Sequence, residues 1–218
     1  MAKRNGASSA PLKVPSAEEF GILSSFKYKP FYEFGISEVM KLSEKKSKPW
    51  VFNALSKFEK GGLLLKETKG NMNLYRAAMD NPSLVNHFLF MEALKLQGMR
   101  NKDVVSRLIE NIPAKDYCLV VFGSYALRSE KADSDMDLCF LAESEAGLKR
   151  LKPYVNEVKA KSPVSMHEQF VTFDEFVEML LRKEENMGKQ IYKGHTLAYN
   201  GGIFYGLVKE AHKRGFTG

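Results

Sequence analysis

Long apolar runs are missing from this 218-residue sequence, and none approaches the ~20 residues that a membrane-spanning helix needs. No membrane partner is therefore expected. The stretch from Met1 to Pro15 is basic and rich in small residues, without the apolar centre of a secretory signal. Residues 1–16 read as a flexible basic tail, and the cytoplasm as the expected location. Cysteine is scarce. Cys118 and Cys139 lie in apolar, strand-like runs and read as buried free thiols, a disulfide between neighbouring strands being the alternative. Neither has the spacing of a metal site. The four histidines, His87, His167, His195 and His212, form no zinc pattern, so structural or surface roles are their default. A serine-nucleophile elbow, a dinucleotide glycine fingerprint and a P-loop are also missing, which removes the chemistries built on them.

What is present is an ordinary globular composition: 44% hydrophobic and 27% charged residues favour neither disorder nor a membrane protein. The length predicts two modest cores. Charge divides unevenly between them. Residues 1–97 hold 15 lysines and arginines against 9 acidic residues, a net +6, whereas the remainder holds 18 against 17. A basic front half suits a polyanion such as nucleic acid, and a nearly neutral back half suits small-molecule chemistry. A solvated lysine-rich surface is the competing reading of that charge.

Apolar spacing sketches the elements. Phe31 to Leu42 has helical spacing, with Phe34, Val39 and Leu42 on one stripe. Ser47 is the expected cap of a following helix, with Pro49 near its first position and Val51, Leu55 and Phe58 facing a core. Gly61 and Gly62 end it. Strands at 63–65 and 74–76 join across the Gly70-Asn71 turn signal. Ser83 is read as the cap of a helix over 84–96, whose face is suited to packing or dimerisation, so a homodimer is one expectation. Asn101 to Asp103 starts the next helix, running to Asn111.

The segment after it carries chemistry. The run from Tyr117 to Phe122 reads as a buried strand leading into Gly123 and Ser124, and a second apolar strand follows that contains Asp135 and Asp137. Strand residues two apart share a face, so these carboxylates are predicted to stand side by side. Such a pair on an apolar strand is costly without a cation, and magnesium accepts carboxylates together with phosphate oxygens. A residue without Cβ at position 123 lets a triphosphate approach the backbone. Ser124 adds a hydroxyl.

Phe122-Gly123-Ser124, ten intervening residues and then Asp135-Met136-Asp137-Leu138 resemble the signature of the nucleotidyltransferase superfamily, which includes DNA polymerase β and the minimal nucleotidyltransferases. The resemblance implies that Asp135 and Asp137 are catalytic metal ligands and that Gly123 and Ser124 hold the phosphates of a nucleoside triphosphate. It implies a third carboxylate on a neighbouring strand, for which Glu168 is the available acid. Leu127 stands where a basic residue is common, and Arg128, one turn beyond Ser124, is the candidate to supply that charge; a surface arginine is the alternative. Further upstream, the Ser47 to Leu64 segment resembles the recognition helix and turn of winged helix-turn-helix domains. By that resemblance Lys48, Asn53, Ser56 and Lys57 face DNA, and Lys66, Lys69 and Asn71 lie near phosphates. Trp50 and Phe52 are unusual for such a face.

The expected fold class is α+β: a winged helix-turn-helix over 17–80, a connecting helix over 81–100, and a nucleotidyltransferase-fold mixed sheet packed with helices over 101–218. The expected function is magnesium-dependent transfer of a nucleoside monophosphate from a nucleoside triphosphate to a hydroxyl acceptor, joined to a DNA-binding module. Two alternatives stand beside it. One is a DNA-binding regulator with a nucleotide-sensing or inactive nucleotidyltransferase domain; the other, suggested by the similarity to the minimal nucleotidyltransferases, is an antitoxin-like protein that modifies a partner toxin.

Overall fold

A computed structural model describes residues 15–218, so the expectation of a flexible tail falls almost wholly outside the described residues. The chain divides into two units, the first ending at Leu84 and the second beginning at Val85.

The first unit comprises α1 (Ala17–Lys27), β1 (Phe34–Gly35), α2 (Ile36–Leu42), α3 (Lys48–Lys60), β2 (Leu64–Lys69) and β3 (Met72–Ala77). Its three antiparallel strands run in the order β1-β3-β2. Helix α1 begins where the Ser16 hydroxyl accepts from Glu19 N–H and the Glu19 carboxylate returns a bond to Ser16 N–H. Ser47 caps α3, as its position before Pro49 suggests, and Gly62 leaves the helix at φ +70°. The hairpin turns at Gly70, φ +59°, the first of two central residues and the sign that a primed turn requires. Ile22, Leu23 and Phe26 meet Val51, Leu55, Phe58 and Tyr75 in a fully buried core.

Two expectations in this unit need correction. Phe34 belongs to a short strand paired with Tyr75, not to a helix, and Leu42 is 55% exposed, so the stripe of Phe34, Val39 and Leu42 does not exist. The helix starts at Ile36 because Glu38 reaches back to the Gly35 N–H (2.8 Å), satisfying a donor that a longer helix would have used. The next helix, α4 (Pro82–Gln97), is capped by Asn81 and not Ser83: Asn81 Oδ1 accepts from Ser83 N–H at 2.9 Å. Pro82, lacking an N–H, then occupies the first helical position without loss.

The second unit holds most of α4, then α5 (Lys102–Asn111), β4 (Tyr117–Phe122), α6 (Gly123–Leu127), β5 (Met136–Ala142), α7 (Glu145–Ala160), β6 (Met166–Thr172), α8 (Phe173–Leu181), α9 (Met187–Lys193), β7 (His195–Tyr199) and α10 (Gly201–Lys213). The four strands form one sheet, β6-β5-β4-β7, antiparallel except for the parallel pair β5/β6. The result is the α+β class with a mixed sheet packed by helices.

Both faces of the sheet are covered, which is why its central strands read as continuous apolar runs instead of alternating. Leu119, Val121, Leu138, Phe140 and Met166 share one core with Val105, Leu108, Leu151 and Val155 of α5 and α7. Cys118, Val120, Cys139 and Leu141 fall on the opposite face, towards α8 and α10. Both cysteines are free and buried. Burial pushes the Cys118 thiol up to about 12, and Cys139 is raised as well. Helix α8 opens on a capping box in which Thr172 and Glu175 bond reciprocally, so Glu175 is a helix cap and its carboxyl is held below its ordinary value by the Thr172 N–H and hydroxyl.

Candidate active site

At the end of β4 the chain must turn sharply, and it does so at Gly123 with φ +64°, a conformation that an L side chain rarely adopts. Phe122 pairs with Asp137 across the β4/β5 ladder, so the turn lies directly against the Asp137 side chain. A Cβ placed on Gly123 would lie 2.1 Å from Asp137 Oδ2. Glycine is therefore required at this position twice over, once for backbone sign and once for space.

Asp137 is tied to a second residue. Its Oδ1 lies 3.2 Å from His167 Nδ1, and the far ring nitrogen, Nε2, lies 3.0 Å from the Gln169 amide nitrogen. The three side chains form a continuous hydrogen-bonded chain that orients the imidazole and the Asp137 carboxylate together. The parallel register sets this up: Asp137 pairs with His167 and Cys139 with Gln169, so all three polar side chains fall on one face.

These residues line an open cleft of about 580 Å³. Phe122, Gly123 and Leu127 form one wall, Asp137, His167 and Gln169 the strand side, and Met187, Gln190, Lys193 and Gly194 the wall from α9. The volume lies within the range of ~300–1,000 Å³ usual for small-molecule sites.

Other expected site residues are placed differently. Asp135 is exposed, stands one residue before β5, and is not among the residues lining the cleft. Ser124 is half-buried in α6, next to the cleft-lining Gly123. Glu168 is not beside the aspartates. It pairs with Leu138 on the other face of the sheet, where the Lys159 ammonium of α7 holds both carboxylate oxygens at 2.8 and 2.6 Å. Arg128 is likewise turned away: it caps α6 in the left-handed conformation, and its guanidinium lies over Gly98 just beyond the end of α4, 2.8 Å from where a Cβ would stand. A cation near a helix C-terminus is favourably placed, so this orientation has its own stabilisation.

The proposed nucleic-acid contacts of the first unit also separate. Lys48 and Asn53 on α3, and Lys66 and Asn71 on the hairpin, are exposed, and Ser56 is half-buried. Lys57 is committed to Glu19, at 2.8 and 2.9 Å, and Lys69 to Glu33 at 2.6 Å. The Lys69 ammonium is half-exposed, and a pair of this kind exchanges its partner at little cost, whereas the Lys57–Glu19 pair is more sheltered.

Residues 102–192 match the nucleotidyltransferase domain family. The match takes in α5 to α9, and with them Gly123, Asp135, Asp137 and most of the cleft wall; it supports placement of this segment in the nucleotidyltransferase superfamily and a nucleotide-transfer activity in general. The matched segment stops short of β7 and α10, which complete the sheet and its helical cover. No curated protein and no solved structure gives a significant match to the chain.

Nucleotidyltransferase domains typically act on nucleoside triphosphates with a divalent metal. Among the described residues no three His, Cys, Asp or Glu side chains converge as a ready metal cage. Two carboxylates two residues apart still fit one magnesium ion that arrives with its nucleotide, because magnesium keeps waters and phosphate oxygens in its shell and needs one or two protein carboxylates. They do not fit a centre with Glu168 as third carboxylate. His167, Gln169, Gln190 and Lys193 were not singled out from the sequence as site residues; the alternation of β6 places His167 opposite Glu168, but only the register with β5 tells which of the two faces Asp137.

Proposed function

We propose that the second unit binds a magnesium nucleoside triphosphate in the cleft at Gly123 and Asp137 and transfers its nucleoside monophosphate to a hydroxyl acceptor. The close approach of Gly123 to the Asp137 carboxylate, inside an open cleft and within the matched domain, carries this reading. Asp137 and Asp135 would hold the metal, which supplies charge neutralisation for the triphosphate. The Gly123 backbone, free of Cβ, lets phosphates come close, and Ser124 offers a hydroxyl beside it. His167 steadies Asp137 through its Oδ1. In the reaction the acceptor oxygen bonds to the α-phosphorus, the bond from that phosphorus to the bridging oxygen breaks, pyrophosphate leaves, and the hydroxyl proton passes to solvent.

Incubation of the protein with each γ-labelled triphosphate and magnesium, with release of labelled pyrophosphate as readout, tests this. Release that depends on magnesium and disappears in Asp137→Asn supports transfer. Release equal in that variant would overturn it.

The first unit supports a second, compatible reading, a winged helix-turn-helix that binds DNA. The order α1-β1-α2-α3-β2-β3 with sheet order β1-β3-β2 is what favours it, together with exposed Lys48 and Asn53 on α3 and Lys66 on the hairpin. Retardation of duplex DNA that weakens steeply with salt is the expected result, and no retardation at low salt would contradict it.

A further inference from the structure

A triphosphate in the cleft needs more positive charge than one magnesium ion supplies, and the structure narrows where that charge comes from. Of the residues lining the cleft, Lys193 alone is a lysine or arginine. The two positions after Ser124 that might have served are otherwise engaged. Leu127 brings only an apolar side chain, and the Arg128 guanidinium lies over Gly98.

Lys193 is held where it stands by a close approach between helices. It is the last residue of α9, and Gly194 follows it, donating its N–H to Gln190 O at 3.0 Å. A Cβ on Gly194 would lie 2.9 Å from a terminal methyl of Leu127, so the end of α9 stands in close contact with this side chain of α6. Helix α9 is in turn fixed by buried Ile191 and by Asn186, whose side chain caps it through Lys189 N–H at 3.2 Å. The wall bearing Lys193 is thereby docked against the helix that begins at Gly123.

The ammonium is paired with Glu185 at 2.7 Å, but the two side chains are 60% and 54% exposed. Exposed pairs of this kind contribute at most about 1 kcal/mol, less than a charge-assisted bond to a multiply charged phosphate offers. We propose that Lys193 binds the outer phosphates of the nucleoside triphosphate, with Glu185 as its resting counter-ion; this rests on the nucleotide reading of the same cleft.

The test is a comparison of ATP and AMP affinities, both with magnesium, for the intact wild-type protein, Lys193→Ala, Lys193→Arg, Glu185→Gln and Asp137→Asn. The expected result is a loss of about tenfold or more in ATP affinity for Lys193→Ala, with AMP affinity little changed, recovery in Lys193→Arg, and ATP affinity at or above wild type in Glu185→Gln. An unchanged thermal midpoint shows that the variants are folded. Wild-type ATP affinity in Lys193→Ala, or an equal loss for ATP and AMP, overturns the assignment. If Asp137→Asn loses ATP while Lys193→Ala keeps it, the cleft is still the nucleotide site and only Lys193 is wrong; if wild type binds no ATP, both fall.

Discussion

Gly123 and Asp137 stand so close that a single methyl group on the glycine would overlap the carboxylate, 2.1 Å from Oδ2. The φ of +64° adds a conformational cost of about 1–2 kcal/mol for any L residue. Gly123→Ala is therefore expected to lower thermal stability modestly and to reduce triphosphate affinity by at least tenfold, because Asp137 must swing out of its bond to His167. Calorimetric titration beside a melting curve checks both. A variant that melts lower yet binds normally would separate the glycine from the site.

Glu168 supplies an opposite expectation. Its carboxylate is engaged by Lys159 on the face of the sheet turned away from Asp137. Glu168→Gln should cost about 1 kcal/mol or less in stability and leave transfer rate intact, as measured by denaturant unfolding and pyrophosphate release. A collapse of the rate at normal nucleotide affinity would restore it as the third catalytic carboxylate.

Much of the site was legible in the sequence, and the reason for the rest is physical. Glycine before a helix and acids two apart on an apolar strand are local signals, and of the residues they single out Gly123 and Asp137 line the cleft while Asp135 does not. Whether His167 or Glu168 faces them depends on a parallel register set at long range, and a shift of one residue exchanges every side chain between faces. Of the two readings of Arg128, the exposed position fits the surface arginine, because helical spacing gives direction within α6 but not the left-handed cap that turns the guanidinium towards Gly98. In the first unit the caps at Ser47 and Gly62 and the turn at Gly70 followed from residue type alone, whereas Leu42 was overread: its spacing is helical, but α2 ends there and nothing covers it enough to bury it.

The buried acid on α4 is expected to be structural. Glu92 is 1% exposed; it accepts from Leu197 N–H at 2.9 Å and lies 3.5 Å from His195 Nε2, itself buried. Glu92→Ala leaves a buried strand donor without this acceptor and should destabilise the second unit by about 2–4 kcal/mol in equilibrium unfolding. A loss below 0.5 kcal/mol, roughly that of a surface change, would contradict the role.

The two thiols give a pH signature. Burial raises Cys118 from an ordinary value of 9.0 to about 12, and Cys139 upwards too, so between those values the folded chain keeps protons that the unfolded chain has lost. Stability contributed by these groups is thus complete below pH 9 and falls as pH rises through that window. Replacement of both cysteines by alanine should flatten the decline between pH 9 and 12, followed by urea midpoints, relative to wild type. An identical slope in both proteins would show that the thiols are not its source. Thiol reagents should likewise label the native chain far more slowly than the unfolded one.

The most direct measurement is calorimetric titration of magnesium ATP, and of the other triphosphates, into wild-type protein and Asp137→Asn. Saturable binding to wild type that requires magnesium and weakens at least tenfold in the variant is the predicted result. Failure of every triphosphate to bind wild type, or equal affinity in the variant, would contradict a nucleotide site built on Gly123 and Asp137.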